Sequence, residues 1–297
     1  MPVDTPSFVP PATLIIGAGR LGTSLGEALR RAAWPVVLVA RGDAGAARAS
    51  VRGLDVVRSL GDAPSSRLVL LCVPDDAVTA TAAALAATPG ALAAGSIVLH
   101  TSGAVPVTAL AALAPLTAGI GSLHPLQTVT EGSDAEALRG APAAVSGDPE
   151  AIAAAEQVAQ AVGLVPFRLA DEAKPLYHAA SAMAANFTVA VLDASIVLAT
   201  AAGMPEDEAR AAFTGLARTA VDRVARLGAP AALTGPIARG DVGTVRAHLE
   251  AMRHSAPDLV PLYIHAARRT LHLARRAGLD AEPARAIEAA LHNSESE

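Results

Sequence analysis

The chain has 297 residues, a net charge of −5, one cysteine and only 2% aromatic residues. That length exceeds what one core usually supports and predicts two domains, while a single cysteine, Cys72, excludes a disulfide framework or a cysteine-based zinc site and points to a reducing, cytoplasmic setting. Mild acidity without a Lys/Arg run, and few aromatics, exclude nucleic-acid tracking; neither the eight histidines nor the carboxylates show metal-ligand spacing. The mean hydropathy of +0.40 comes from alanine, so no membrane span is expected. The opening MPVDTPSFVPP reads as a short disordered lead and not as a signal peptide.

Short β-branched runs alternating with alanine-rich helical stretches then predict a doubly wound, mostly parallel α/β domain over residues 1–170. A strand at Thr13 to Ile16 runs directly into Gly17-Ala18-Gly19-Arg20-Leu21-Gly22, which opens a helix over Leu21 to Ala33. In that context a G-x-G-x-x-G pattern signals dinucleotide binding. Gly17 makes the tight turn, Gly19 lets backbone amides approach a pyrophosphate, and Gly22 lets helix and strand pack closely. The second strand, Val36 to Ala40, delivers Arg41 where an acid would grip the ribose of NAD, so a 2′-phosphate and hence NADP is predicted over NAD. Asp43 is the ribose acceptor if that strand ends elsewhere.

A weaker strand is expected at Asp55 to Val57, and further strands at Leu68 to Val73, Ile97 to Thr101, Gly119 to Leu123, Ala143 to Ser146 and Val165 to Leu169, with a helix over Pro149 to Val162 capped by Asp148. In open α/β sheets ligands lie beyond the carboxyl ends of the strands. Here those ends carry Val73-Pro74-Asp75-Asp76, Thr101-Ser102-Gly103 and His124-Pro125-Leu126-Gln127-Thr128. Val73, Pro74 and Ser102 are expected beside the cofactor. Ser102 and Gly103 can also meet a substrate, and His124 can donate to a substrate oxygen or serve as a structural hydrogen-bonder.

After Leu169 the pattern becomes wholly helical, predicting an all-α domain over 171–297: a long helix from Asp171 to about Ala202, then helices at about Glu206 to Leu227, Val242 to Met252, Leu259 to Ala277 and Pro283 to His292. Of 23 basic residues only Lys174 is a lysine. It therefore stands out as a candidate for proton chemistry that guanidinium cannot perform. Lys174, Tyr177, His178 and Ser181 share one helical face, with Asn186 at its edge. In Leu233-Thr-Gly-Pro-Ile-Ala-Arg-Gly-Asp241, Arg239 could clamp a carboxylate, or Asp241 could simply cap the next helix.

Together the glycine motif, Ser102-Gly103, the His124 segment, Lys174-x-x-Tyr177-His178 with Asn186, and the Leu233–Asp241 segment resemble Rossmann-like, NADP-dependent oxidoreductases that carry a helical domain of unknown function, relatives of β-hydroxyacid dehydrogenases, ketopantoate reductases and deazaflavin-dependent NADP reductases. The resemblance implies a C-terminal domain like that of 6-phosphogluconate dehydrogenases and a homodimer built through it. It also implies that Lys174 exchanges a proton with the substrate oxygen, with His178 or Asn186 orienting the substrate; Arg239 or Ser102 is then expected to hold the substrate carboxylate. The expected activity is NADPH-dependent reduction of a small 2-oxo acid, of which ketopantoate is an example. Two alternatives are an imine reductase of the pyrroline-carboxylate reductase type and a non-catalytic, NADP-responsive regulator.

Overall fold

The computed structural model describes residues 9–294, so most of the expected N-terminal lead lies outside the described residues. The chain divides into two compact units, Met1–Met183 and Ala184–Glu297. The first holds an eight-stranded sheet of β1 (Thr13–Ile16), β2 (Val36–Val39), β3 (Asp55–Val57), β4 (Ser66–Leu71), β5 (Leu92–His100), β6 (Gly119–Pro125), β7 (Pro142–Gly147) and β8 (Val165–Arg168), in the order β3-β2-β1-β4-β5-β6-β7-β8. The neighbouring pairs among β1 to β6 are parallel. β7 runs antiparallel to β6, and β8 is parallel to β7. The helices of this unit are α1 (Arg20–Arg31), α2 (Asp43–Val51), α3 (Val78–Ala86), α4 (Pro149–Ala161) and α5 (Lys174–Ala182).

Both sheet faces are apolar because both are covered, as parallel sheets require. Ile15, Leu38, Leu70 and Leu99 enter one core with Leu25 and Leu29 of α1 and Val158 of α4; alternate residues Leu14, Val69, Leu71 and Val98 enter the other with Ala82 and Leu85 of α3. At about 1.5–3 kcal/mol per fully buried aliphatic side chain, these layers are the main favourable term holding the strand ends in place. The chain leaves β1 for β2 on one side and later returns to β4 on the other. The order therefore reverses beside β1, which opens a crevice at its carboxyl end.

One strand boundary needs correcting. β5 starts at Leu92, ahead of Ile97, because Leu92 pairs with Ser66 across a register shift before the regular ladder begins. Asp148 stands at the N-cap of α4 but makes no cap hydrogen bond; its carboxylate accepts the Ile120 N–H at 2.9 Å and ties the helix to β6.

The second unit contains α6 (Thr188–Ala201), α7 (Glu206–Leu227), α8 (Ala229–Ala232), α9 (Val242–Ser255), α10 (Val260–Arg276) and α11 (Ala281–Asn293). Val245, Leu249, Ile264, Leu271, Ile287 and Leu291 form its core. Asp241 does cap α9, its side chain accepting the Thr244 N–H at 3.0 Å. α5 continues through a π turn, Met183–Phe187, into α6, and Gly203 at φ +97° ends the run. This run, Asp171–Ala201, is long and apolar enough to cross a membrane by length and composition, contrary to the sequence expectation. Its charges, Lys174 and Asp193 among them, are sparse and its alanines many, so its hydropathy is high without a charge-free run of leucine-like residues.

Candidate active site

The loop after β1 has the geometry the glycine pattern demands. Gly17 adopts φ +111°, and a Cβ there would lie 2.3 Å from the Cys72 carbonyl oxygen; a Cβ on Gly22 would lie 2.0 Å from the Gly17 carbonyl oxygen. Neither position admits a side chain. A Cβ on Gly19, by contrast, would meet nothing within 4 Å, so that face of the loop is open to an incoming group. Gly19 is also the N-cap of α1 and supplies no side-chain cap, which leaves first-turn amides available to an anion. A cavity of about 450 Å³ is lined by Gly17, Ala18, Ala40, Arg41, Gly45 and Val73, among others. These features fit a dinucleotide. Pro74 is exposed at the turn that follows β4.

A second cleft gathers the carboxyl ends of β5 and β6: Arg20, Leu21, Asp75, Ser102, Gly103, His124 and His178 line it. The Ser102 hydroxyl accepts the amides of Ala104 and Val105 at 3.1 and 3.0 Å and so shapes the loop, retaining its own proton to donate. The Gly103 backbone presses on the His124 ring so closely that a Cβ would sit 2.7–2.9 Å from three ring atoms. On the other side His124 Nδ1 meets the Tyr177 hydroxyl at 3.0 Å. Burial raises the Tyr177 pKa, so the phenol keeps its proton. Burial, helped by nearby His178, lowers the His124 pKa to about 4. A protonated phenol beside a neutral imidazole fits donation from Tyr177 to Nδ1, which leaves Nε2 as the ring's N–H donor. His178 belongs to the same cleft, its ring centroid 6.4 Å from that of His124.

Lys174 is placed differently from the role expected of it. Its side chain is only 2% exposed, and Nζ contacts Asp171 Oδ1 at 2.8 Å and donates to the Val105 carbonyl at 3.0 Å. Asp171 in turn accepts the Val107 N–H at 2.9 and 3.1 Å. The amine does not line the cleft; with Asp171 it pins the Val105–Val107 segment that follows Ser102 and Gly103. Burial lowers its pKa, opposed by Asp171. In this structure the amine, expected to act as general acid, is held by an ion pair and a backbone carbonyl. Fully buried His100 lies nearby, accepting the Ser102 N–H on Nδ1 at 3.2 Å while Nε2 meets no partner among the described residues; burial, then the charge of Lys174, lowers its pKa to about 3.

Two other candidates lie in the second unit. Asn186 is exposed in the π turn, and Arg239 is exposed on the turn before α9, where Asp241 serves as the cap. Tyr177, Asp171 and His100 were not singled out for a role by the sequence. The signal for Tyr177 was present in the shared face with His178, and for Asp171 in its i, i+3 spacing from Lys174. His100 gave none, since a histidine closing a buried strand reads as core.

Residues 5–125 match the model of the Rossmann-like domain, and residues 141–270 match that of a domain of unknown function, DUF2520. The chain joins a Rossmann-like domain to a DUF2520 domain. The Rossmann-like match ends at Pro125, the last residue of β6, so the antiparallel pair of β6 and β7 marks the join and the DUF2520 match includes β7, α4 and β8 of the sheet. No curated protein matches the chain. Among solved structures, it is similar to the "putative NADP oxidoreductase BF3122" of Bacteroides fragilis, at 20% identity and TM-score 0.70 over 90% of this chain and 98% of that one. Protein TM1727 of Thermotoga maritima gives 22% and 0.69 over 89% and 98%. A pyrroline-5-carboxylate reductase of Coxiella burnetii gives 12% and 0.57 over 97% and 98%. At these identities the likeness is one of fold.

Proposed function

We propose that this Rossmann-like, DUF2520-containing chain is an NADP(H)-dependent oxidoreductase that reduces a small 2-oxo acid. The observation that carries the reading is His124, a neutral imidazole wedged between Gly103 and Tyr177 in the cleft that also holds Arg20 and Leu21 of the glycine-loop helix. Gly17, Gly19, Gly22 and the first turn of α1 would hold the pyrophosphate and Arg41 the 2′-phosphate. When bound, the reduced cofactor supplies a hydride.

The chain's own contribution is to prepare the acceptor. His124 Nε2–H donates to the substrate oxygen and stabilises negative charge as it develops there, in the manner of a preorganised neutral imidazole, and the alkoxide left by hydride addition takes its proton from solvent water. Tyr177 holds the ring in the required tautomer. Ser102 and His178 orient the substrate, and the Lys174–Asp171 pair keeps the segment after Ser102 in place. A carbon–nitrogen double bond already carrying a proton needs no such donor, so the placement of His124 favours an oxygen acceptor over an imine.

The partner we propose is a second copy of the chain. Val189, Val191 and Val197 on α6, and Leu216, Val221, Val224 and Leu227 on α7, are exposed. Exposed apolar side chains on two packed helices favour cover by a partner. Asp193, also exposed on α6, favours protein over lipid.

The test is NADPH oxidation over a panel of short 2-oxo acids and cyclic imines. Turnover is expected with an oxo acid. His124→Asn is expected to lower kcat by about a hundredfold and Tyr177→Phe by about tenfold, both with NADPH affinity within twofold of wild type. Full turnover in His124→Asn, or no oxidation with any panel member, refutes the assignment.

A further inference from the structure

Cofactor choice in the proposed site turns on a residue outside the glycine motif and the end of β2. β2 and β3 are parallel neighbours with Val39 opposite Val57, and the Ala40 N–H donates to the Val57 carbonyl at 3.0 Å. Arg41 and Arg58 therefore leave the sheet side by side. Arg58 does not line the nucleotide cavity. Its guanidinium donates to the Arg41 carbonyl at 3.2 Å and to Asp43 Oδ1 at 2.5 Å, spanning the Arg41-Gly42-Asp43 turn whose first two residues do line it.

Asp43 is the difficulty this pairing resolves. Its side chain is 99% exposed at the first turn of α2, and Arg58 is its one ion-pair partner among the described residues. An uncompensated carboxylate two residues from Arg41 repels a 2′-phosphate and accepts from ribose hydroxyls, the arrangement that selects NAD. Two guanidinium groups against one carboxylate leave a positive surplus at the turn; removing Arg58 cancels it.

We infer that Arg58 is a specificity-determining residue, which makes the site an NADP site by neutralising Asp43 and holding its carboxylate off the ribose. This rests on the nucleotide-binding reading above. It implies that Arg58 matters only while Asp43 is charged, a dependence that a direct phosphate ligand would not show.

The experiment measures Kd for NADPH and NADH in wild type, Arg58→Gln, Asp43→Asn and the double variant by nicotinamide fluorescence. Wild type should prefer NADPH. Arg58→Gln should weaken NADPH by about tenfold while NADH stays within threefold or tightens, and the double variant should return NADPH to within threefold of wild type. Both residues are exposed, so thermal midpoints should stay within about 2 °C of wild type and keep binding interpretable. The inference is overturned if Arg58→Gln binds NADPH within twofold of wild type, if the double variant remains as weak as Arg58→Gln, or if wild type prefers NADH. Wild type that binds neither nucleotide overturns the nucleotide-binding reading itself, a separate result.

Discussion

Replacing Lys174 with methionine separates a structural lysine from a chemical one. The substitution keeps the length of the buried stem and removes the ammonium, so Asp171 loses its ion-pair partner and the Val105 carbonyl loses a donor. Breaking a buried pair from one side costs about 3–5 kcal/mol; Asp171 is 25% exposed and retains the Val107 N–H, which places the expectation near 3 kcal/mol. That is a large share of the roughly 5–15 kcal/mol that a domain commands. Lys174→Met/Asp171→Asn removes both charges while leaving a carbonyl to accept from Val107. It should recover at least about 1.5 kcal/mol of that loss, a coupling that a double-mutant cycle reads directly. Urea unfolding followed by Trp34 fluorescence is the assay, since the chain's one tryptophan is buried in the core of the same unit. The reasoning fails if Lys174→Met is as stable as wild type within 0.5 kcal/mol yet loses turnover by a thousandfold, for the amine would then be the proton donor.

Acid should destabilise the first unit. His100 and His124 have folded pKa values of about 3 and about 4 against 6.5 unfolded, so the unfolded chain binds more protons between those values and stability falls as pH drops from about 6.5. At pH 5 each contributes a loss of about 2 kcal/mol relative to neutrality. His100→Gln should remove about half of the combined histidine effect in urea titrations at pH 7.5 and 5, and an unchanged pH dependence counts against the burial argument. Gly19→Ala should fold with stability within about 1 kcal/mol of wild type and bind NADPH at least tenfold more weakly, whereas Gly17→Ala should fail to fold stably because its Cβ meets the Cys72 carbonyl. Equal stability of the two variants in thermal melts is the contrary result. Sedimentation should show a dimer that Val221→Glu with Leu216→Glu converts to monomer; a monomeric wild type removes the second copy from the exposed faces of α6 and α7.

Much of the sheet was legible because parallel strands covered on both faces must be continuous apolar runs, as β1, β2 and most of β4 are. Boundaries slipped where pairing with a distant strand, as between Leu92 and Ser66, set the end. The glycine loop was legible for a related reason: Gly17 and Gly22 answer contacts made within one strand–turn–helix unit, so their requirement is written locally. Asp241 likewise declared its cap three residues ahead of the amide it accepts.

Side-chain partners separated by tens of residues were not legible. Lys174 stood out by composition, yet only folding brings Val105 to its amine and so turns a candidate acid into half of an ion pair. Tyr177 acquires a role because β6 delivers His124 to it, and Arg58 because β3 lies beside β2. A backbone conformation is chosen by neighbours along the chain, and the sequence records it there. The protonation state of a buried group is decided by what surrounds it in space, and for His124 and Lys174 those surroundings are assembled from strands and helices that the linear order keeps apart.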